Sequence, residues 1–254
     1  MSDDNIGGVD AVRIAVVLYP GMTALDAIGP YEVLRFAPRA RVRFVGHEVG
    51  PVMTDSGVLA LGVTHTFAET PDPQVIVVPG GPAATAVAAD REVLDWLRKA
   101  HESTIWTTSV CTGALVLASA GLLDGRPATT HWAARRMLGM LGAEPAPGER
   151  VVVGDRIATA AGVSAGIDMA LWLAGEIWGR EVAETIQLDI EYDPRPPFAA
   201  GHPERASAAV RRAALADQAR LTHGLRRADQ LSATLTGAQK ILWRSMVRRI
   251  RARS

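Results

Sequence analysis

The chain has 254 residues, of which 48% are apolar and 21% charged, enough to bury a full core in one large domain or two small ones. Its 27 basic and 27 acidic residues balance, so no net charge attracts nucleic acid, and no apolar run approaches the roughly 18 residues of a membrane span. The acidic start excludes a signal peptide, and a single cysteine excludes an internal disulfide and a cysteine-rich metal site. We expect a soluble cytoplasmic protein that binds neither membrane nor nucleic acid.

The first predicted strand is the apolar run of residues 12–19, which ends at the turn Pro20-Gly21. Thr23 and Asp26 have the spacing of a capping box for the helix that follows. Pro30 suits the first turn of that helix. Asp26 therefore has two interpretations, a helix cap and a candidate acid/base.

A second strand is predicted over residues 41–46, and a hairpin over residues 51–66. The short apolar strand at residues 74–78 ends in a turn that contains Gly80 and Gly81. Because glycine lets backbone N–H groups approach a ligand closely, this turn is a candidate for stabilising negative charge. It is equally consistent with a plain loop.

The region around the lone cysteine changes character at one residue. Residues 105–110 are typical of a strand and residues 112–120 of an apolar helix, with Cys111 between them. A nucleophile at such a turn stands above the sheet, and the start of the following helix lowers a thiol pKa. Lone cysteines are commonly small buried apolar residues, so position alone leaves both roles open. Thr112 offers a backbone N–H and a hydroxyl beside the sulfur.

Further along the chain, residues 127–130 predict a strand, and residues 151–160 a hairpin around Gly154-Asp155. Three helices are predicted: one that follows His131-Trp132 and runs to about residue 141, one over residues 164–178 and one over residues 180–190. From residue 203 the chain is polar and rich in alanine and arginine, which predicts two or three helical pieces. Residues 237–254 hold six basic residues and no acids, and we interpret them as a peripheral helix or a frayed end.

Alternating strands and helices indicate an α/β fold, a mostly parallel central sheet with helices on both faces. Sites in such sheets lie at the carboxyl ends of the strands. The turns that carry Asp26, Gly80-Gly81 and Cys111 each follow a predicted strand, so they can converge at one edge. His131 is a candidate partner for Cys111, and it is equally consistent with a core histidine.

A competing motif is G-x-S-x-G at residues 162–166, which follows a predicted strand as the serine hydrolase elbow does. A triad needs a later acid and a later histidine, and only His202 and His223 remain, both in the polar tail. We therefore favour a packing role, with Ser164 as a helix cap.

Several stretches occur together: LDAIGP at 25–30, VPGG at 78–81, SVCTGALVL at 109–117, ATTHW at 128–132 and AGID at 165–168. In this combination the chain resembles the glutamine amidotransferase-like superfamily that includes PfpI-type proteases. Within that superfamily it is most similar to the isocyanide hydratase branch. The resemblance covers residues 12–205 and implies a flavodoxin-like sandwich, a homodimer and no cofactor or metal.

The resemblance also implies an activity and a site. Relatives of this branch hydrate isocyanides to N-substituted formamides through a covalent cysteine thioimidate, so the substrates would be a small apolar isocyanide and water. The family nucleophile matches Cys111, its acidic partner Asp26, and the residue after the cysteine Thr112. The family's glycine pair matches Gly80 and Gly81. The implied catalytic domain spans residues 1–205, and residues 206–254 form a helical, basic C-terminal extension, whose part after about residue 230 departs from the family.

Two groups of relatives share these motifs with other functions. One is the amidase-like domain of AraC-type transcription regulators, which needs a longer DNA-binding region than the chain after Phe198 provides. The other comprises thiol hydrolases and redox-sensing members, most of which place histidine where this chain has Thr112. Both remain alternatives.

Overall fold

A computed structural model describes residues 11–232 of the chain, with side chains described to residue 221. The strands are β1 (Val12–Val17), β2 (Ala40–Gly46), β3 (Gly50–Met53), β4 (Ala60–Val63), β5 (His65–Thr66), β6 (Val75–Val78), β7 (Trp106–Val110), β8 (Pro127–Ala128), β9 (Glu144–Pro145), β10 (Val151–Gly154) and β11 (Ile157–Ala160). The helices are α1 (Ala24–Leu34), α2 (Ala84–Val87), α3 (Arg91–His101), α4 (Gly113–Ser119), α5 (Arg135–Met140), α6 (Ala165–Trp178), α7 (Arg180–Asp189) and α8 (Ala208–Ser232).

The central sheet has seven strands in the order β10-β11-β7-β6-β1-β2-β5. Neighbours pair in parallel except β10 and β11, which form the predicted antiparallel hairpin. All four residues of β6 are buried. Consecutive buried residues in a strand require cover on both faces, because successive side chains point to opposite sides. Helices supply that cover, with α1 packed on α6 and α4 packed on α2 and α3.

The sheet order places three strand ends side by side. β1, β6 and β7 are neighbours, with Val16 paired to Val77 and Val78 paired to Ser109. The chain leaves β7 at Cys111, leaves β6 at Pro79 and leaves β1 towards α1. The predicted convergence of the three turns at one edge of the sheet is therefore confirmed.

Two local predictions were wrong, both in α1. The Thr23 hydroxyl does not cap α1 but donates to Asp55 Oδ2 at 2.6 Å. Pro30 lies inside α1 rather than in its first turn. Of the two or three helical pieces predicted after residue 203, one is α8, and the chain after residue 232 lies outside the described residues.

The basic residues at 237–254 lie outside the described residues, and the division into domains at residue 205 stays a prediction. Within residues 11–232, no helix is long and apolar enough to cross a membrane.

Candidate active site

Cys111 occupies a strained turn between β7 and α4. Its φ of 57° is left-handed, which is uncommon for a residue with a side chain. The turn is held on both sides, since the Cys111 N–H donates to the carbonyls of Ala160 and Ala161, each at 3.0 Å. The Cys111 carbonyl accepts the Thr130 hydroxyl at 2.8 Å. Cys111 is only 5% exposed and lines a cavity.

The Gly80-Gly81 turn packs directly under the turn at Cys111, which we call the cysteine elbow. A Cβ on Gly80 would collide with the backbone N of Thr112 and lie 2.9 Å from Cβ of Cys111, so only glycine fits. The Gly81 N–H donates to Thr112 Oγ1 at 2.8 Å, and that hydroxyl donates to the Gly81 carbonyl at 3.0 Å. The Gly81 N–H that we expected to face developing charge is therefore bonded to Thr112. The two glycines position the neighbours of the thiol.

Asp26 lies beneath the same turn and is fully buried. Its Oδ2 accepts the Gly80 N–H at 2.9 Å. Its Oδ1 has no hydrogen-bond partner at ordinary distance within the described chain. Burial raises the pKa of Asp26 to about 7, against the opposing effects of the Gly80 N–H and the Cys111 thiol, and Asp55 raises it further. At neutral pH this carboxyl can therefore both take up and release a proton.

The thiol does not behave as its position at a helix start suggested. Burial and then the charge of Asp26 raise the pKa of Cys111, although the N–H groups of Thr112 and Val163 act in the opposite direction. Our expectation of a lowered thiol pKa was therefore wrong, because desolvation outweighs the start of the short helix α4. A thiol with a raised pKa favours its protonated form, so a nucleophilic role for Cys111 would require a base beside it.

His131 and Ser164 lie near the elbow without joining it. The His131 ring accepts the Ala133 N–H at 3.4 Å and lines the cavity, and burial followed by Arg135 lowers its pKa. Ser164 is exposed and accepts Arg150 Nη2 at 3.3 Å. It makes no capping hydrogen bond to α6, so its predicted role as a cap was wrong.

The cavity above Cys111 has a volume of about 360 Å³. Its wall is mainly apolar, and it is completed by side chains that we did not single out from the sequence: Leu115, Met137, Gln218 and Leu221. A larger cavity of about 470 Å³ lies between α2 and the β3–β4 hairpin and does not reach Cys111. Among the described residues, no group of three or more His, Cys, Asp or Glu side chains could hold a metal ion.

The fold therefore places a cysteine in a tight strand-to-helix turn at the C-terminal ends of the parallel strands, above a buried aspartate. The chain belongs to the DJ-1/PfpI family, whose model matches residues 12–176. Among relatives, it is 44% identical over 200 residues to an isonitrile hydratase of Pseudomonas putida, an alignment that covers 79% of this chain and 87% of that protein.

Two further comparisons bear on fold and alternatives. The crystal structure of a ThiJ/PfpI family protein from Pseudomonas syringae superposes with a TM-score of 0.79 at 38% identity, covering 84% of this chain and 89% of that one. The predicted flavodoxin-like α/β fold is thereby confirmed. The HTH-type transcriptional regulator CdhR of Pseudomonas aeruginosa is 31% identical over 177 residues, which is 66% of this chain and 51% of the regulator.

Proposed function

We propose that this protein is a lyase that hydrates isocyanides to N-substituted formamides, with Cys111 as nucleophile and Asp26 as the acid/base. The observation that carries the proposal is the pairing of two buried groups. The Asp26 carboxyl, with a pKa of about 7, lies beside the Cys111 thiol, whose pKa is raised and which lines a mainly apolar cavity. The similarity to an isonitrile hydratase supports the choice of substrate.

The first step adds the thiol to one carbon. The terminal carbon of an isocyanide holds a lone pair and also accepts a nucleophile. Asp26, as carboxylate, takes the Cys111 proton while the sulfur bonds that carbon. Asp26 then returns the proton to the same carbon. The product is a thioimidate, R–N=CH–S–Cys111, and the carboxylate is restored.

The second step consumes water. Asp26 accepts one proton from the water whose oxygen bonds the thioimidate carbon, and it passes that proton to the nitrogen. The C–S bond then breaks, the remaining proton of the added hydroxyl passes through Asp26 to the sulfur, and R–NH–CHO leaves. One isocyanide and one water give one formamide, so the protein's residues balance the reaction without a cofactor or metal.

The neighbours of Cys111 fit these steps. The Thr112 N–H is close enough to stabilise negative charge on the sulfur. Gly80 holds Asp26 in place, and the Gly81–Thr112 hydrogen bonds hold the turn. An uncharged substrate suits a cavity with a mainly apolar wall, and the proton passes between two fixed groups. We further propose a homodimer, as the family resemblance implies, and a cytoplasmic location, as the composition led us to expect.

The test is to incubate the purified protein with an aryl isocyanide in D₂O enriched in oxygen-18. The formamide should carry deuterium at the formyl carbon and oxygen-18 in the carbonyl, since both atoms come from exchangeable sites. Cys111→Ala is the negative control and should produce formamide only at the uncatalysed rate. Equal formation by wild type and Cys111→Ala would exclude the mechanism.

The similarity to CdhR favours one second candidate, a ligand-sensing domain of a transcription regulator. That function predicts that isocyanides or amides bind without turnover and that the protein shifts a DNA fragment from its own promoter in a gel. Rapid turnover together with no specific DNA binding would exclude it.

A further inference from the structure

The helix α8 is fixed to the body of the protein at its start. The Arg211 guanidinium donates to the carbonyls of Pro203 at 2.8 Å and Ala206 at 3.0 Å, and Ala206 is buried. Beyond that anchor, the side chains of residues 212–221 are exposed except for the half-buried Ala214. This helix therefore contributes little to the core.

Two residues of α8, Gln218 and Leu221, nevertheless line the active-site cavity, and Leu221 is the apolar one. Leu221 lines the cavity that holds Cys111, as does Met137 of α5. Leu221 is 40% exposed and Met137 44%, although both are large and apolar. When an apolar ligand covers exposed apolar side chains at a cavity, their surface is removed from water, and this burial favours binding.

Leu221 lies in a different part of the sequence from the candidate catalytic residues. The family model ends at residue 176, whereas α8 begins at Ala208. Cys111, Thr112, Asp26 and both glycines lie inside the matched region, and Leu221 lies outside it. The bond-making groups and this part of the cavity wall therefore belong to different parts of the chain.

We infer that Leu221 determines which isocyanides react, by limiting the size of the apolar substituent that fits between α8 and α5. This inference rests on the proposed function. The substrate class is an isocyanide with an uncharged, ring-sized or branched apolar substituent, since the reactive carbon lies at Cys111 and the substituent lies along Leu221. Leu221 contacts the substrate without taking part in bond making.

The experiment compares kcat/KM for methyl isocyanide and for a para-substituted phenyl isocyanide. Leu221→Trp should lower the aryl-to-methyl ratio roughly tenfold, the range expected when a hydrophobic pocket is reshaped. Leu221→Ala should raise the aryl-to-methyl ratio of kcat/KM. This variant replaces Leu221→Trp as the test if the tryptophan variant fails to fold. Leu215→Trp is the matched control, because Leu215 lies on the same helix, is 46% exposed and does not line the cavity.

A second readout separates this inference from the proposed function. The rates at which iodoacetamide and its N-phenyl derivative alkylate Cys111 differ only by an apolar ring, and they require no isocyanide turnover. Leu221→Trp should slow the phenyl reagent selectively. If wild type hydrates no isocyanide but the alkylation ratio shifts, the proposed function fails and the size limit stands. If Leu221→Trp and Leu215→Trp give equal ratios in both assays, the inference is wrong.

Discussion

Two strand–turn–helix units of this protein share a local shape and differ in their surroundings. β7 and β11 are parallel neighbours, and each is followed by a turn with a left-handed residue, Cys111 at φ 57° and Val163 at φ 41°. Beneath Cys111 lies the buried carboxyl of Asp26. The serine after Val163 instead faces solvent and Arg150, whose partner is Asp168. Of these two turns, the one at Cys111 lies over a buried carboxyl, which comes from the segment that follows a third strand, β1.

The largest expected effect comes from replacing each of the two candidate nucleophiles, Cys111 and Ser164, with alanine. Cys111→Ala should lower kcat/KM for an aryl isocyanide by at least about 10³-fold, since covalent catalysis is lost. Ser164→Ala should leave kcat/KM within about twofold, because Ser164 is exposed and its hydroxyl accepts a hydrogen bond from Arg150, so the substitution changes only the surface. Formamide production measured by chromatography checks both variants. A large loss in Ser164→Ala would return the serine elbow to consideration.

The acid/base role of Asp26 predicts a pH profile. The active form has one proton shared between thiol and carboxyl, so kcat/KM should rise with pH through about 7, the pKa of Asp26. The alkaline limb should lie above the ordinary thiol range because the pKa of Cys111 is raised. Asp26→Asn should lower kcat/KM by about 10²-fold and remove the acidic limb. Retention of that limb in Asp26→Asn would assign it to another group.

The glycines under the two elbows should differ in tolerance. Gly80→Ala forces a Cβ against the backbone of Thr112, which cannot move without displacing Cys111. We expect a loss of activity of about tenfold to a hundredfold, as for small displacements of catalytic groups. In Gly162→Ala the new Cβ would lie 2.6 Å from a carbon of the His131 ring, a side chain that can rotate away. Its loss should be several-fold smaller, and circular dichroism melting verifies that both variants fold.

The smallest expected effect concerns the Thr112 hydroxyl. Thr112→Val removes both hydrogen bonds to Gly81 but keeps the shape of the side chain. We expect a loss in kcat/KM of about threefold to tenfold, since a neutral hydrogen bond contributes about 0.5–1.5 kcal/mol. Thr112→Ser should restore most of that loss. A hydroxyl that acts directly on the substrate would instead produce a loss comparable to that of Asp26→Asn.

The sequence patterns were sufficient for the sheet and for the meeting of three turns. Apolar runs such as β6 are visible locally because a strand buried on both faces has few polar residues. The two-residue strands β5, β8 and β9 are too short to produce such a pattern. Pro30 was misplaced because helix α1 is held by packing against α6, which overrides the local preference of proline for a first turn.

The electrostatics of the site were not predictable in the same way. The raised pKa of Cys111 depends on how deeply three separate segments bury it, and the spacing of residues along the chain contains no such information. The contribution of Leu221 to the cavity likewise depends on where α8 leaves the body of the protein. The resemblance to a known family identified the chemical groups near the sulfur but not this wall.

The exposure of α8 has a consequence for how such a protein changes over generations. Substitutions at Gly80 or Asp26 disturb a buried arrangement and carry a large penalty in folding or activity. Substitutions along the outer face of α8 remove few buried contacts, so most of them leave the protein folded. Under the role proposed for Leu221, selection can therefore change the preferred substituent there while Cys111 and Asp26 stay unchanged.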